Sequence, residues 1–217
     1  EVSDLEITNL GDTPAEDRKG IYVEARDFGV VHHLFFRNIE IHDVNGVHGG
    51  LAGGDFQNNK SNGGIVSVIL GNAVETYFED FLIENCHIHH VSQTGIYNTS
   101  SWEDREWPRS GGVYVNHSWV PSKNMIYRNN TIEHVAGNGL IIKNAHAPLV
   151  EYNTFDNCGK FTSGNAAFCF NTDYALFQYN EVSNTVTNVG DVDSGGLDSD
   201  FKTRWTTSRI PPTGCNP

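Results

Sequence analysis

The chain has 217 residues, a mass of 24.0 kDa, 38% hydrophobic residues, 22 Gly, 23 Asn and a formal net charge of −13. That length is expected to make one domain with a buried core, and a surface this negative argues against a phosphate backbone or an anionic membrane as partner. The apolar runs fall far short of a transmembrane span, and the Asn and Gly load excludes a helical bundle in favour of a turn-rich β protein.

The first element is a strand, Leu5-Glu-Ile-Thr-Asn-Leu10, and its pattern returns five times: Ile39-Glu-Ile-His-Asp-Val44, Cys86-His-Ile-His-His-Val91, Asn130-Thr-Ile-Glu-His-Val135, Asn153-Thr-Phe-Asp-Asn-Cys158 and Asn180-Glu-Val-Ser-Asn-Thr185. The third position is always Ile, Phe or Val, and the fifth always Asn, Asp or His. The central residues Ile7, Ile41, Ile88, Ile132, Phe155 and Val182 lie 34, 47, 44, 23 and 27 residues apart. The shortest step is about one turn of a solenoid, and the longer ones imply insertions. A second strand, usually led by Gly, follows in each repeat at Gly20, Gly64, Gly95, Gly139, Ala166 and Gly196, and Gly112-Val-Tyr-Val continues the third of these. A third strand precedes the next repeat: Leu34-Phe-Phe-Arg-Asn38, Phe81-Leu-Ile-Glu-Asn85, Met125-Ile-Tyr-Arg-Asn129, Leu149-Val-Glu-Tyr-Asn153 and Leu176-Phe-Gln-Tyr-Asn180. No segment has helical periodicity. Cys86, Cys158, Cys169 and Cys215 form no CxxC pair; Cys86 and Cys158 fall at apolar positions of the repeat and are expected as buried free thiols, with a disulfide as the alternative. Asn9, Asn157 and Asn184 recur at one corner and read as a structural asparagine ladder.

Three short strands per repeat describe an all-β chain, a single-stranded parallel β-helix of about six turns. The segments Phe36-Arg-Asn-Ile-Glu-Ile-His-Asp-Val-Asn-Gly46, Tyr127-Arg-Asn-Asn-Thr-Ile-Glu-His-Val135, Leu149-Val-Glu-Tyr-Asn153, Leu176-Phe-Gln-Tyr-Asn180 and Leu197-Asp-Ser-Asp200 resemble the right-handed parallel β-helix proteins of the pectate lyase and polygalacturonase type, in particular their bacterial secreted carbohydrate-active members. The resemblance covers residues 1–206, read as the β-helix domain, with 207–217 an irregular tail. It implies secretion or a periplasmic location and an oligo- or polysaccharide partner. The chain opens without a capping helix or leader and its pattern stops after Thr206, so it reads as truncated at both ends. Open ends suggest self-association.

Insertions at residues 45–63, 96–111, 159–164 and 186–195 are expected between the first and second strands, building one wall of a groove. The second holds Trp102, Arg105, Trp107 and Arg109, and Trp119 follows; tryptophans with charged neighbours suit a sugar's apolar face and hydroxyls. On the first strand His42, His89, Glu133 and Asp156 should face outward in one line, beside Glu40, His87, Thr131, Thr154 and Glu181. A hydrogen-bonded polar face is the expected role there, with a sugar cleft or a transition-metal column as alternatives. His89, Glu133 and Lys143 join the tryptophans and arginines as the expected substrate-binding set.

Glycoside hydrolysis needs one carboxylic acid and a second carboxylate. The densest acidic segment is Gly190-Asp-Val-Asp-Ser-Gly-Gly-Leu-Asp-Ser-Asp200, where Asp198 and Asp200 at i, i+2 share a face and form the leading catalytic pair. Asn171-Thr-Asp173 is similar to the Asn-Thr-Asp motif of polygalacturonases, which places Asp173 in support, although the family's later Gly-His-Gly and Arg-Ile-Lys motifs are absent. Strand alignment sets Asp200 in line with Cys169 and Ile142, facing inward, which counts against catalysis. No metal ligand or cofactor is assigned, and the clustered Asp oxygens make a Ca²⁺ site one alternative for this segment. A glycoside hydrolase is the expected function. The alternatives are a non-catalytic sugar-binding β-helix and a polysaccharide lyase using Lys143 or Arg128, the latter disfavoured by the scarcity of cations.

Overall fold

The computed structural model describes residues 1–15, 18–47, 60, 62–106, 116–160, 164–186, 193 and 195–209. They form strands, bridges and turns, with no α-helix among them. Apart from one small antiparallel hairpin, every strand pair is parallel and stacks on its counterpart in the next repeat, the arrangement of a β-helix-like solenoid.

The first ladder joins Ile7, Ile41, Ile88, Ile132, Phe155 and Val182 side by side, in the register read from the sequence. Ile41, Ile88, Ile132 and Phe155 are fully buried in one continuous core. The fifth position of the repeat explains itself through the backbone. Asp43, His90, His134, Asn157 and Asn184 all have φ of 51–52°. The left-handed region costs an ordinary L-residue about 1–2 kcal/mol and favours side chains that hydrogen-bond locally, so Asn, Asp and His recur there. Asn157 and Asn184 share this corner as expected, whereas Asn9 falls at a register shift.

The second ladder stacks Ile21, Ile65, Ile96, Leu140, Ala167 and Leu197. Glycine leads most of these strands because the corner is tight. A Cβ on Gly95 would lie 2.5 Å from the carbonyl oxygen of Gly139 and 2.8 Å from Ile132 Cγ2. Gly95→Ala should therefore destabilise the fold by about 1–3 kcal/mol, the usual cost of overpacking. Denaturant unfolding checks this, and an unchanged midpoint would show that the corner is looser than described.

The third ladder contains Val30–Val44, Tyr77–Glu84, Ser122–Arg128, Leu149–Glu151, Leu176–Gln178 and Thr207–Arg209. It joins the first in a twelve-stranded sheet, because Val30–Val44 runs unbroken through the corner between them, where Asn38 is left-handed. Here the register departs from the sequence reading. Arg128 pairs with Glu151, and Glu151 with Gln178, so Tyr152 and Tyr179 take the left-handed corner held earlier by Asn38, Asn85 and Asn129. Asn130, Asn153 and Asn180 then fall one step on, as a second asparagine ladder. Asn153 Oδ1 accepts from Asn130 Nδ2 at 2.9 Å, and Asn153 Nδ2 donates to Asn180 Oδ1 at 2.9 Å. Thr207–Arg209, assigned by sequence to the irregular tail, pairs with Leu176–Gln178. Cys86, Cys158 and Cys169 are buried free thiols, with burial pushing Cys158 up to about 12; Cys215 lies outside the described residues.

Candidate active site

The second sheet is apolar on both faces. Its outward row runs Tyr22, Val66, Tyr97, Ile141, Phe168, Asp198 through successive strands. Val66, Tyr97, Ile141 and Phe168 are buried and form a cluster separate from the main core. A strand covered on both faces reads as a continuous apolar run, which is what Gly64-Ile-Val-Ser-Val-Ile-Leu70 shows. At the end of this row the chemistry changes from hydrocarbon to carboxylate.

Ser199, not Asp200, pairs with Cys169. This corrects the sequence alignment by one residue, and one residue along a strand reverses the face. Asp198 lies in the outward row, and Asp200 joins Phe170 and Lys143 in a recess on the same outer face. The recess is about 40 Å³ and is lined by Lys60, Tyr97, Ile141, Lys143, Phe168, Phe170 and Asp200. It has room for about one water, so a glycan would lie across its mouth. Lys60 Nζ sits 5.2 Å over the Phe168 ring, and Lys143 Nζ 5.0 Å over Phe170. Lys143 also pairs with Glu103 at 3.4 Å. Burial holds Lys60 below the usual lysine range; Asp193 and Asp200 pull it upward, and Lys143 adds repulsion. Asn165 Nδ2 donates to Asp198 Oδ2 at 3.4 Å, and Phe201 N donates to Asp200 Oδ1 at 2.6 Å.

In chain order residues 45–62, 159–164 and 186–195 fall between first and second strands, whereas the segment expected at 96–111 begins after the second strand Thr94–Ser100. That segment carries the hairpin of Glu103–Arg105 with Asn116–Trp119. Trp102, Arg105 and Trp119 on it are anchors. Trp102 belongs to the main core, where it offers no stacking face. Arg105 is 0% exposed and donates to Asp173 Oδ1 at 2.8 Å and to the Lys202 carbonyl. Its guanidinium lies 4.2 Å from the Trp119 ring centre. Asp173, 2% exposed, also receives Arg204. The Asn-Thr-Asp segment thus closes a buried ion network instead of reaching the recess. Trp107, Arg109 and the Gly112-Val-Tyr-Val strand lie outside the described residues.

His89 and Glu133 occupy a different face, the outside of the first sheet. His42, His89, Glu133 and Asp156 stand in one row and Glu40, His87, Thr131, Thr154 and Glu181 in the next, as read from the repeat. Arg128 is on the third face, paired to Glu151 at 2.6 Å. On the first sheet His42 is raised above its ordinary value by its hydrogen bonds to Asp43 and then Glu6. His90 is lowered by burial and then by the neighbouring charges of His89 and His134. The raised group adds stability that is complete below its unfolded value, near 6.5, and lost as pH rises through the folded one. The lowered group does the opposite and loses its contribution as pH falls. An NMR titration should therefore find His42 deprotonating at higher pH than His90, and the reverse order would contradict the geometry.

Sequence reasoning missed Lys60, Tyr97, Phe168 and Phe170 as members of the recess. The unbroken apolar runs of the second strand were the available signal for a covered outer face. It also missed Trp205, which shares with Asp198 an open pocket of about 350 Å³.

No family model matches the chain, and no curated protein matches it. Among solved structures the chain superposes on the native form of a GH136 lacto-N-biosidase from Eubacterium ramulus, with TM-score 0.72 and 22% identity. The fold is shared with a glycoside hydrolase. The match covers 99% of this chain and 38% of that one. The selenomethionine derivative of the same enzyme gives TM-score 0.64 over the same shares. The chain therefore spans well under half the length of the enzyme it resembles. No helix among the described residues is long and apolar enough to cross a membrane.

Proposed function

We propose that this chain forms part of a secreted glycoside hydrolase acting on an oligosaccharide, wound as a right-handed β-helix of about six turns. The right-handed sense follows the strong general preference of parallel strand crossovers. The observation that carries the function is the pair Asp198 and Asp200, two carboxylates on one outward face, with Asp200 lining the recess. One protonates the leaving oxygen and the other serves as base or nucleophile. Lys60 and Lys143 place positive charge beside Asp200, and the apolar side chains of Tyr97, Phe168 and Phe170 in the recess lower the local polarity and strengthen that interaction. The likeness to a lacto-N-biosidase supports a short glycan as substrate. Separation of the two carboxyl groups by roughly 5–5.5 Å around bound sugar would mean retention, and roughly 6.5–9.5 Å inversion.

The experiment is an assay of the protein against chromogenic glycosides, a lacto-N-bioside among them, with reducing-sugar release from oligosaccharides in parallel. Turnover with saturated sugar products supports the reading. Binding without turnover would overturn it in favour of a sugar-binding β-helix. The partly buried Lys60 gives a lyase a candidate base, and products with the ultraviolet absorbance of an unsaturated uronide would establish that reading instead.

A further inference from the structure

Three donor groups meet on the outside of the first sheet, far along the repeat from the acidic recess and on another face. Glu40 lies on Val30–Val44, directly beside His87 on the neighbouring strand His87–Val91. His87 and His89 are two residues apart on that strand, so both project outward. Glu40 Oε1 is 3.2 Å from His89 Nε2 and 3.8 Å from His87 Nδ1, and the three donor atoms all lie within 4.8 Å of one another. Ligands at about 2.0–2.1 Å around tetrahedral zinc stand roughly 3.3 Å apart. The donors therefore need to move by little to close on an ion.

The surroundings hold each histidine in the matching orientation. His87 offers its other nitrogen, Nε2, to Glu133 Oε1 at 2.9 Å. His89 places its other nitrogen, Nδ1, 2.8 Å from His90 Nδ1. A carboxylate behind a histidine is the common outer support of metal-bound imidazole, because it fixes the tautomer and raises the basicity of the ligating nitrogen. The rings of His87 and His89 lie 4.2 Å apart, and His42 stacks on His89 at 5.0 Å and 3°. His42 itself is engaged by Glu6 and Asp43, which leaves it outside the donor set.

We propose that Glu40, His87 and His89 form a binding site for a divalent transition metal, with Glu133 as the positioning residue behind His87. Two imidazoles and one carboxylate suit zinc and its neighbours in the transition series rather than Ca²⁺ or Mg²⁺, which take oxygen donors. Three protein ligands leave at least one position of the ion open to water or to a ligand. The donors sit on paired strands rather than loops, so the site is held by the same hydrogen-bond ladder that holds the fold. The ligand set differs from the single outward column suggested by the repeat, because the donors belong to two adjacent rows.

The test is calorimetric titration of the chelator-treated protein with zinc chloride at neutral pH. One saturable site is expected, and its affinity should fall as pH is lowered because the ion competes with protons for the imidazoles. Glu40→Gln, His87→Gln and His89→Gln should each weaken binding at least ~10-fold, and Glu133→Gln by about as much, while His146→Gln on the third ladder leaves it within ~2-fold. Absence of saturable binding to the unsubstituted protein, or variants that bind as tightly, would overturn the assignment. If a variant loses its fold by circular dichroism, anomalous scattering at the zinc edge from zinc-soaked crystals of the unsubstituted protein decides. A peak among the three donors supports the site, and a peak elsewhere or none overturns it.

Discussion

Asp198→Asn and Asp200→Asn should each lower glycoside turnover at least ~100-fold, the scale of losing a general acid or base. Asparagine keeps the shape and one acceptor oxygen of each side chain, so the loss isolates the proton chemistry. Stability should barely respond. Asp198 is half-buried with one long hydrogen bond from Asn165, and Asp200 is exposed. Substitutions of this kind usually stay within about 0.5 kcal/mol, or roughly 1–2 °C in a domain of this size. The double variant should be little worse than the poorer single one, since residues acting as a unit are not additive. Full activity in both singles, with normal unfolding curves, would remove these carboxylates from the mechanism.

Asp173→Ala should lower the melting temperature by on the order of 10 °C. Removing one partner of a buried ion pair costs about 3–5 kcal/mol, because the other charge stays buried without compensation, and each kcal/mol shifts a domain of this size by about 2–4 °C. Here two guanidinium groups, those of Arg105 and Arg204, converge on one carboxylate, and Arg105 is wholly out of solvent. The same change unpins the hairpin that reaches back from residue 105 to the later repeats. Thermal unfolding checks the size of the drop. Assays well below the melting temperature separate structure from catalysis. Near-normal turnover there shows that Asp173 supports the fold alone, whereas a large loss would return it to the reacting site.

The solenoid was legible in the sequence because its signals are local and repeated. The in–out alternation around Ile41, Ile88 and Ile132, the glycines at the second-strand corner, and the Asn, Asp and His at the left-handed corner each follow from the backbone of a single repeat. Stacking then sets them in register. The two outward rows of the first sheet, including His42, His89, Glu133 and Asp156, were readable for the same reason: they sit one residue either side of a buried position.

What joins residues from different repeats was decided only by the tertiary structure. A slip of one residue at the last second-ladder strand turned Asp200 outward, and period-two alternation gives no warning where an insertion of unknown path precedes the strand. Lys60 reaches the recess from an insertion whose own sequence has no strand pattern. Arg105 meets Asp173 across 68 residues, and Glu40 meets His89 across 49. The sequence by itself determined the repeat, its three strands and the face of most side chains, since those depend on backbone geometry within one turn. Which charges meet depended on how unequal insertions are absorbed between stacked turns, a property of the assembled solenoid that no single repeat encodes.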